Sequence, residues 1–435
     1  METKNQIRGQ KSKHGRWRFF GLLGPGLTTG AADDDPSGIA TYTQTGAKFG
    51  YGQLWTALYM LPLMIAVQEA CARIGMVKGK GIAAIVKEHY SKSALYFIIG
   101  IVVVANTINI GADIGAMASA AQLLLPLPFA ILTLFITGFI LVLEIFLSYR
   151  TYSRILKWLA LSLLAYPLTL FMVSQPWQEL LKESFVPGFR LNFDFLLISI
   201  GLLGTTISPY MFFWQASQEV EEEKSRKVWN KGNPLVSIKS LRVMRLDNTV
   251  GMVISELATW CIIVVAATVL HQAGRTQINT AADAARALEP LVKTFPEAGY
   301  FAKCIFAFGI IGLGLLAVPV LSGSAAYALA ESMDWKSGLN LKFRKAHGFY
   351  GVITVATIFG LMINFVGIDP MQALIYAAVL NGIAAVPLLY FIARIAFSEK
   401  IMGVYRSSRL SNILLWLTMA VMGIAAIGML VAFLF

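Results

Sequence analysis

The chain has 435 residues, 57% of them apolar and only 14% charged, with a mean hydropathy of +0.65 and a formal charge of +12. Soluble domains carry about 25% charged residues, so a soluble globular protein is excluded and an all-α integral membrane protein is expected. The surplus of Lys and Arg lies between apolar stretches, where the inside-positive bias of membrane proteins explains it; no nucleic-acid partner is implied.

About 20 apolar residues cross a bilayer. By that measure eleven spans fall near 19–47, 51–75, 93–120, 127–147, 151–174, 193–218, 246–270, 297–328, 347–367, 370–396 and 410–433. Residues 1–18 are basic and read as a cytoplasmic tail, because the apolar stretch after them is too long for a signal-peptide core. With the N-terminus inside, twenty-nine Lys and Arg fall at inner ends and six at outer ones, with Lys303 inside the eighth span. That bias predicts a multi-pass protein with its C-terminus outside, and a bacterial plasma membrane is its expected location.

The first span carries Asp33, Asp34 and Asp35 side by side, followed by Pro36, Ser37 and Gly38. A carboxylate at bilayer depth costs roughly 2.5–3.5 kcal/mol even on lenient scales. Water, a cation or backbone groups must therefore meet these three. A helix broken at acid residues is how membrane proteins build an ion site, and Asp35, next to the proline, is the first choice of ligand. The alternative is that the triplet only caps the second half-helix.

Glu69 and Arg73, four apart at the inner end of the second span, are expected to pair. The segment GIAAIVKEHYSKS is too short to cross and reads as an interfacial helix. In the third span Asn106, Asn109 and Asp113 recur about one turn apart, as a polar path or as glue between helices. Glu144 and Asp247 lie near span ends, where a solvated role is expected; Glu256 is deeper.

The sixth span is interrupted at Pro209, with Thr205, Thr206 and Ser208 just before it. Paired interruptions in matching positions of two halves point to a transporter site. Thr205 and Ser208 are candidate ligands, unless they merely satisfy helical carbonyls. Tyr210 lines a path or packs on a neighbour, and Asn381 of the tenth span is a further candidate ligand. The organisation read from this is a first repeat at 19–174, an outer loop at 175–192, a second, inverted repeat at 193–396, and a last span within 397–435.

Enzymatic chemistry is not indicated. The GKG at 79–81 lacks the spacing of a P-loop. Cys71, Cys261 and Cys304 show neither a CxxC nor a disulfide pattern. His14, His89, His271 and His347 all fall in tails, loops or span ends. No cofactor is expected.

Residues 21–55, GLLGPGLTTGAADDDPSGIATYTQTGAKFGYGQLW, resemble the first helix of the Nramp family of metal-ion transporters, which carries GPG, a DPGN motif and ATDxQAGAKFGYxLLW. The resemblance extends over essentially the whole chain. It implies a LeuT-type fold of two inverted five-helix repeats with helices 1 and 6 discontinuous, and alternating access. The departures carry chemical meaning. Where the family has Asp-Pro-Gly-Asn, this chain has Asp35-Pro36-Ser37-Gly38, and where the family reads GAxxMPH it has Gly204-Thr205-Thr206-Ile207-Ser208-Pro209-Tyr210. The thioether becomes Ser208 and the imidazole Tyr210. A second His of that helix aligns with Gln215, and the acids of the family's proton route fall at Asn109 and Ala112.

Thioether sulfur favours soft transition metals, whereas magnesium prefers one or two carboxylates with retained water. The expected cargo is thus a hard divalent cation, Mg2+ or else Mn2+. Asp34, Asp35, Ser37, Gly38, Thr205, Ser208 and Asn381 are expected at the site; of these, Asp35, Thr205 and Ser208 ligate the metal. Asn109, Asp113, Tyr210 and Gln215 are expected along the path. Proton coupling is not expected, and the protein is expected to act as a monomer in the bilayer, in resemblance to the magnesium-transporting branch. The alternative is Na+-coupled uptake of a small anion such as bicarbonate.

Overall fold

The computed structural model describes residues 24–146, 163–190, 192–225, 229–230, 233–294 and 297–434. The basic tail, the start of the first span and residues 151–162 of the fifth lie outside the described residues.

Among the described residues, eight helices are long and apolar enough to cross a membrane. The helices, in order, are α1 (Pro25–Asp33), α2 (Pro36–Phe49), α3 (Trp55–Lys78), α4 (Ile82–His89), α5 (Lys92–Gln122) and α6 (Phe129–Phe146). After them come α7 (Ala165–Met172), α8 (Trp177–Phe185), α9 (Phe193–Thr206), α10 (Pro209–Ser225) and α11 (Ile238–Ala266). The chain continues through α12 (Ala281–Ala285), α13 (Ala298–Ser332), α14 (His347–Ile363), α15 (Pro370–Phe397), α16 (Glu399–Met402) and α17 (Arg409–Leu434). A two-residue hairpin, β1 (Trp229–Asn230) with β2 (Asn233–Pro234), sits in the loop before α11. The short segment after the second span forms α4, and the long loop after α11 is partly helical. The seventh span starts earlier than its hydropathy suggested, because Ser237 and Ser240 form a reciprocal cap at the polar start of α11.

Both expected interruptions are present. The first span breaks at Asp34–Asp35, and the sixth at Ile207–Ser208. Proline alone does not cause them: Pro62, Pro319 and Pro387 sit inside continuous α3, α13 and α15. What differs is the residue before the proline. Asp35 caps α2 by accepting the Gly38 amide at 2.8 Å. Ser208 donates to the Gly204 and Thr205 carbonyls at 2.6 and 2.8 Å. In each case a side chain takes over backbone groups that the break would leave bare, which a low-dielectric interior requires.

The broken first span packs backbone to backbone on α11. A Cβ on Gly26 would lie 2.6 Å from the Asn248 backbone, one on Gly30 2.4 Å from the Gly251 carbonyl, and one on Gly46 2.3 Å from the Ile263 carbonyl. Small residues four apart permit such approach between membrane helices. The same device joins α9 to α15, where a Cβ on Gly204 would meet the Ala378 carbonyl at 2.0 Å.

Two acids differ from the expectation of a solvated role. Glu144 and Asp247 are buried. Glu144 accepts from Ser322 at 2.8 Å. Asp247 of α11 accepts the amides of Gly24 and Gly26 at 2.8 and 2.7 Å, capping the N-terminus of α1 from a neighbouring helix. Hydropathy placed Asp247 near a span end but could not show that the start of α1 lies against it. Replacing Asp247 by Asn keeps an acceptor but removes the charge from the helix N-terminus. The expected result is a loss of about 1 kcal/mol in thermal unfolding of the purified protein, whereas an unchanged midpoint would assign the cap no role.

Candidate functional site

The two breaks face each other through residues that flank them. The Thr205 hydroxyl would lie 3.1 Å from a Cβ on Gly38, a tight contact that glycine avoids where α2 meets α9. Next to it, the hydroxyls of Tyr42 and Thr205 share a hydrogen bond of 2.8 Å. From the second break, the Tyr210 hydroxyl donates to Asp35 Oδ2 at 3.3 Å and to the Ala32 carbonyl at 3.4 Å.

Asp35 is the hub. Its Oδ1 accepts from the Ser37 hydroxyl at 2.6 Å and the Gly38 amide at 2.8 Å. Its Oδ2 accepts from Asn109 Nδ2 at 3.2 Å as well as from Tyr210. The carboxylate thus gathers donors from α2, α5 and α10 at the point where three elements meet. Ser37 and Gly38 support Asp35 from the side of α2, and Asn109 and Tyr210 support it from across. Tyr210 is therefore more than a packing residue.

The stripe on α5 divides. Asn106 donates to the Leu321 carbonyl at 2.9 Å and holds α5 to α13. Asn109 reaches Asp35. Asp113, one turn on, is fully buried, and neither of its oxygens has a hydrogen-bond partner among the described residues.

A second group of acids lies behind the break. The Ser255 hydroxyl of α11 lies 2.9 Å from Asp33 and 3.3 Å from Asp34. Glu256, next to Ser255 on α11, is buried, and among the described residues neither of its oxygens has a hydrogen-bond partner. Asp33, Asp34, Asp35, Asp113 and Glu256 are thus all buried, and among the described residues none of them pairs with a Lys, Arg or His. At membrane depth buried carboxyl groups without a base either meet a cation or keep a proton.

Of the remaining candidates, Gln215 accepts from Thr29 of α1 and donates to Glu219 at 3.0 Å. It ties α1 to α10 on the far side of the breaks and does not touch Asp35. The Asn381 amide is buried without a partner, and no hydrogen bond joins it to Asp35 among the described residues. Ser208 directs its proton to its own helix and so leaves its lone pairs open. Glu69 pairs with Arg73 as expected.

Tyr42 and Ser255 are the contributors that sequence reading missed. A Tyr four residues beyond Gly38 carries no signal by itself. Ser255 beside the noted Glu256, facing an acid triplet, is visible only once α11 is known to pack on the first span.

Among the described residues no three His, Cys, Asp or Glu side chains converge as a metal cage. What the site offers is one central carboxylate with hydroxyl and amide oxygens around it. Such a set suits a cation that keeps part of its water, and it contains no sulfur or imidazole.

A family model described as "Natural resistance-associated macrophage protein-like" matches residues 26–432. Among curated proteins, a divalent metal cation transporter MntH of Klebsiella pneumoniae (strain 342) is 24% identical over 433 residues, covering 96% of each chain. Another MntH, of Caldanaerobacter subterraneus subsp. tengcongensis, is 26% identical, covering 96% of this chain and 99% of its own. Among solved structures, a manganese transporter of Eremococcus coleocola superposes with a TM-score of 0.73 at 15% identity, covering 95% of this chain and 87% of the other. The transporter MhsT in complex with L-phenylalanine gives 0.63 at 12% identity, covering 98% and 99%. These likenesses show the fold, a helical membrane bundle shared with solved transporters.

Proposed function

The chain belongs to the Nramp family, and on that premise we propose that it carries a hard divalent cation, magnesium first and manganese second, by alternating access and without proton coupling. The observation behind the reading is Asp35, a buried carboxylate at a helix break that accepts from oxygen and nitrogen donors and, among the described residues, is matched by no base. Thr205 and Ser208 supply hydroxyl oxygens from the second break, and Asp35 rearranges from its present donors to the ion. Relatives named as divalent metal or manganese transporters support the charge class of the cargo. The absence of a thioether at Ser208 and of an imidazole at Tyr210 supports the hard end of that class.

With no His buried among the described residues, the driving force is the membrane potential, about 4.6 kcal/mol per 100 mV for a divalent ion. Asp33, Asp34, Asp113 and Glu256 shape the negative field that draws the ion in. One chain is the transporting unit, its N-terminus at the cytoplasmic face and its C-terminus outside. An anion such as bicarbonate fits less well. Asp35 already occupies the N-terminus of α2, where an anion would rest, and the other buried acids repel it.

Liposomes holding the purified protein and a magnesium-sensitive dye test this. Magnesium influx that rises with an inside-negative potential and ignores an imposed pH gradient is expected. Manganese flux without magnesium flux overturns the choice of ion. Acceleration by an inward proton gradient overturns the uncoupled reading and directs attention to Asp113.

A further inference from the structure

Three arginines line a single cavity of about 240 Å3, at the end of the bundle that the charge count assigns to the cytoplasm. Its walls include Arg73 of α3, Ile238, Arg242 and Arg245 of α11, and Val404 and Tyr405 between α16 and α17. Arg73 donates to Glu69 and to the Tyr405 carbonyl at 3.1 Å. Arg245 reaches the same Glu69 oxygen, Oε1, at 3.2 and 3.4 Å. One carboxylate therefore answers two guanidinium groups, and Arg242, exposed, makes no ion pair among the described residues. Three positive charges face one negative charge in a cleft with Ile238 and Val404 at its edge, 67% and 91% exposed.

We propose that this cavity binds the phosphate group of an anionic ligand, and that a phospholipid headgroup supplies it in the membrane. Planar guanidinium groups match phosphate oxygens two at a time. Basic pockets between membrane helices on the inner side are suited to anionic headgroups. Ile238 and Val404 provide apolar surface of the kind an acyl chain covers and a free phosphate does not.

The position gives the site a consequence. Arg242 and Arg245 stand on the same inner end of α11 as Asp247, which holds the first amides of α1. Asn248 and Gly251, against which Gly26 and Gly30 close, follow within two turns. A headgroup bridging α11 to α3 fixes the surface on which the first half-helix sits, and so favours the conformation in which α1 is closed on it.

Native mass spectrometry of the full chain in nanodiscs of phosphatidylglycerol and phosphatidylcholine tests the proposal. Wild type is expected to retain phosphatidylglycerol selectively. The Arg242→Ala/Arg245→Ala double variant is expected to lose at least about tenfold in that retention, two surface charges being removed. Lys342→Ala, an exposed charge elsewhere on the inner side, is expected to behave as wild type. Should the double variant not fold, Arg242→Gln alone is read, since that side chain is exposed and unpaired. Displacement by millimolar glycerol phosphate or inorganic phosphate supports phosphate recognition with the source in solution; resistance to both supports the lipid. Equal retention of the two lipids by wild type, or unchanged retention in the arginine variants, overturns the site.

Discussion

Asp35→Asn is expected to give a folded protein that neither binds nor carries its ion. Asp35 does two things in this structure, and the substitution separates them. It caps α2 by accepting the Gly38 amide and the Ser37 hydroxyl, and Asn caps a helix nearly as well as Asp. It also places a full negative charge where α2, α5 and α10 meet, and Asn removes that. Loss of a partner outside the ligand shell costs about 10- to 100-fold in metal affinity, so loss of the central carboxylate is expected to cost at least about 100-fold. Calorimetric titration with magnesium and with manganese reads the binding, and dye influx in liposomes reads the transport. Asp35→Ala removes cap and charge together and is expected to lose about 1 kcal/mol of stability besides. If Asp35→Asn binds magnesium as wild type does, Asp35 is only a cap, and the ion site lies elsewhere in the acid group.

The elements of this site were legible to different degrees, for physical reasons. An acid triplet before a proline in an apolar run is conspicuous, because hydrocarbon penalises charge so heavily that few explanations survive; both breaks and most span limits follow from the same penalty. Direction is harder. Asn106 and Asn109 are alike in sequence, yet one holds a carbonyl of α13 and the other reaches Asp35. A three-residue step around a helix turns the side chain by about 60°, so what packs opposite each position decides which neighbour it reaches.

Asp247 shows the limit most clearly. Hydropathy near a span end suggested solvent, but the residue is buried because the start of α1 returns against α11, a contact between residues more than two hundred positions apart. Ser255 was hidden for the same reason. The Gly26-x-x-x-Gly30 pair is a local mark of the contact that the sequence reading passed over, since small residues at that spacing are enriched where membrane helices approach closely.

That pair also sets the second large effect. Gly30→Val is expected to shift the protein away from the conformation described here. A Cβ at Gly30 would lie 2.4 Å from the Gly251 carbonyl oxygen and 2.5 Å from its carbon, both backbone atoms that cannot swing aside. Overpacking of this kind costs about 1–3 kcal/mol, and a β-branched side chain against fixed backbone belongs at the upper end. Since α1 is a half-helix joined to α2 only through Asp34 and Asp35, it relieves the clash by leaving α11 more readily than by unfolding the bundle. A penalty of about 3 kcal/mol confined to the closed state changes the ratio of the two states by roughly 100-fold.

Thr29, buried beside Gly30 and bonded to Gln215, reports the motion. In a background with the native cysteines removed, Thr29→Cys is expected to react with a water-soluble thiol reagent at least about tenfold faster when Gly30→Val is present. Gly138→Val on α6, where a Cβ meets nothing within 4 Å, is the matched control and is expected to leave the rate unchanged. Ion flux is expected to fall in Gly30→Val while equilibrium binding is altered far less, because the substitution acts on the exchange between states and leaves Asp35 in place. An unchanged labelling rate in a folded Gly30→Val protein would mean that α1 does not leave α11 during the cycle, and that the path to Asp35 opens at another helix.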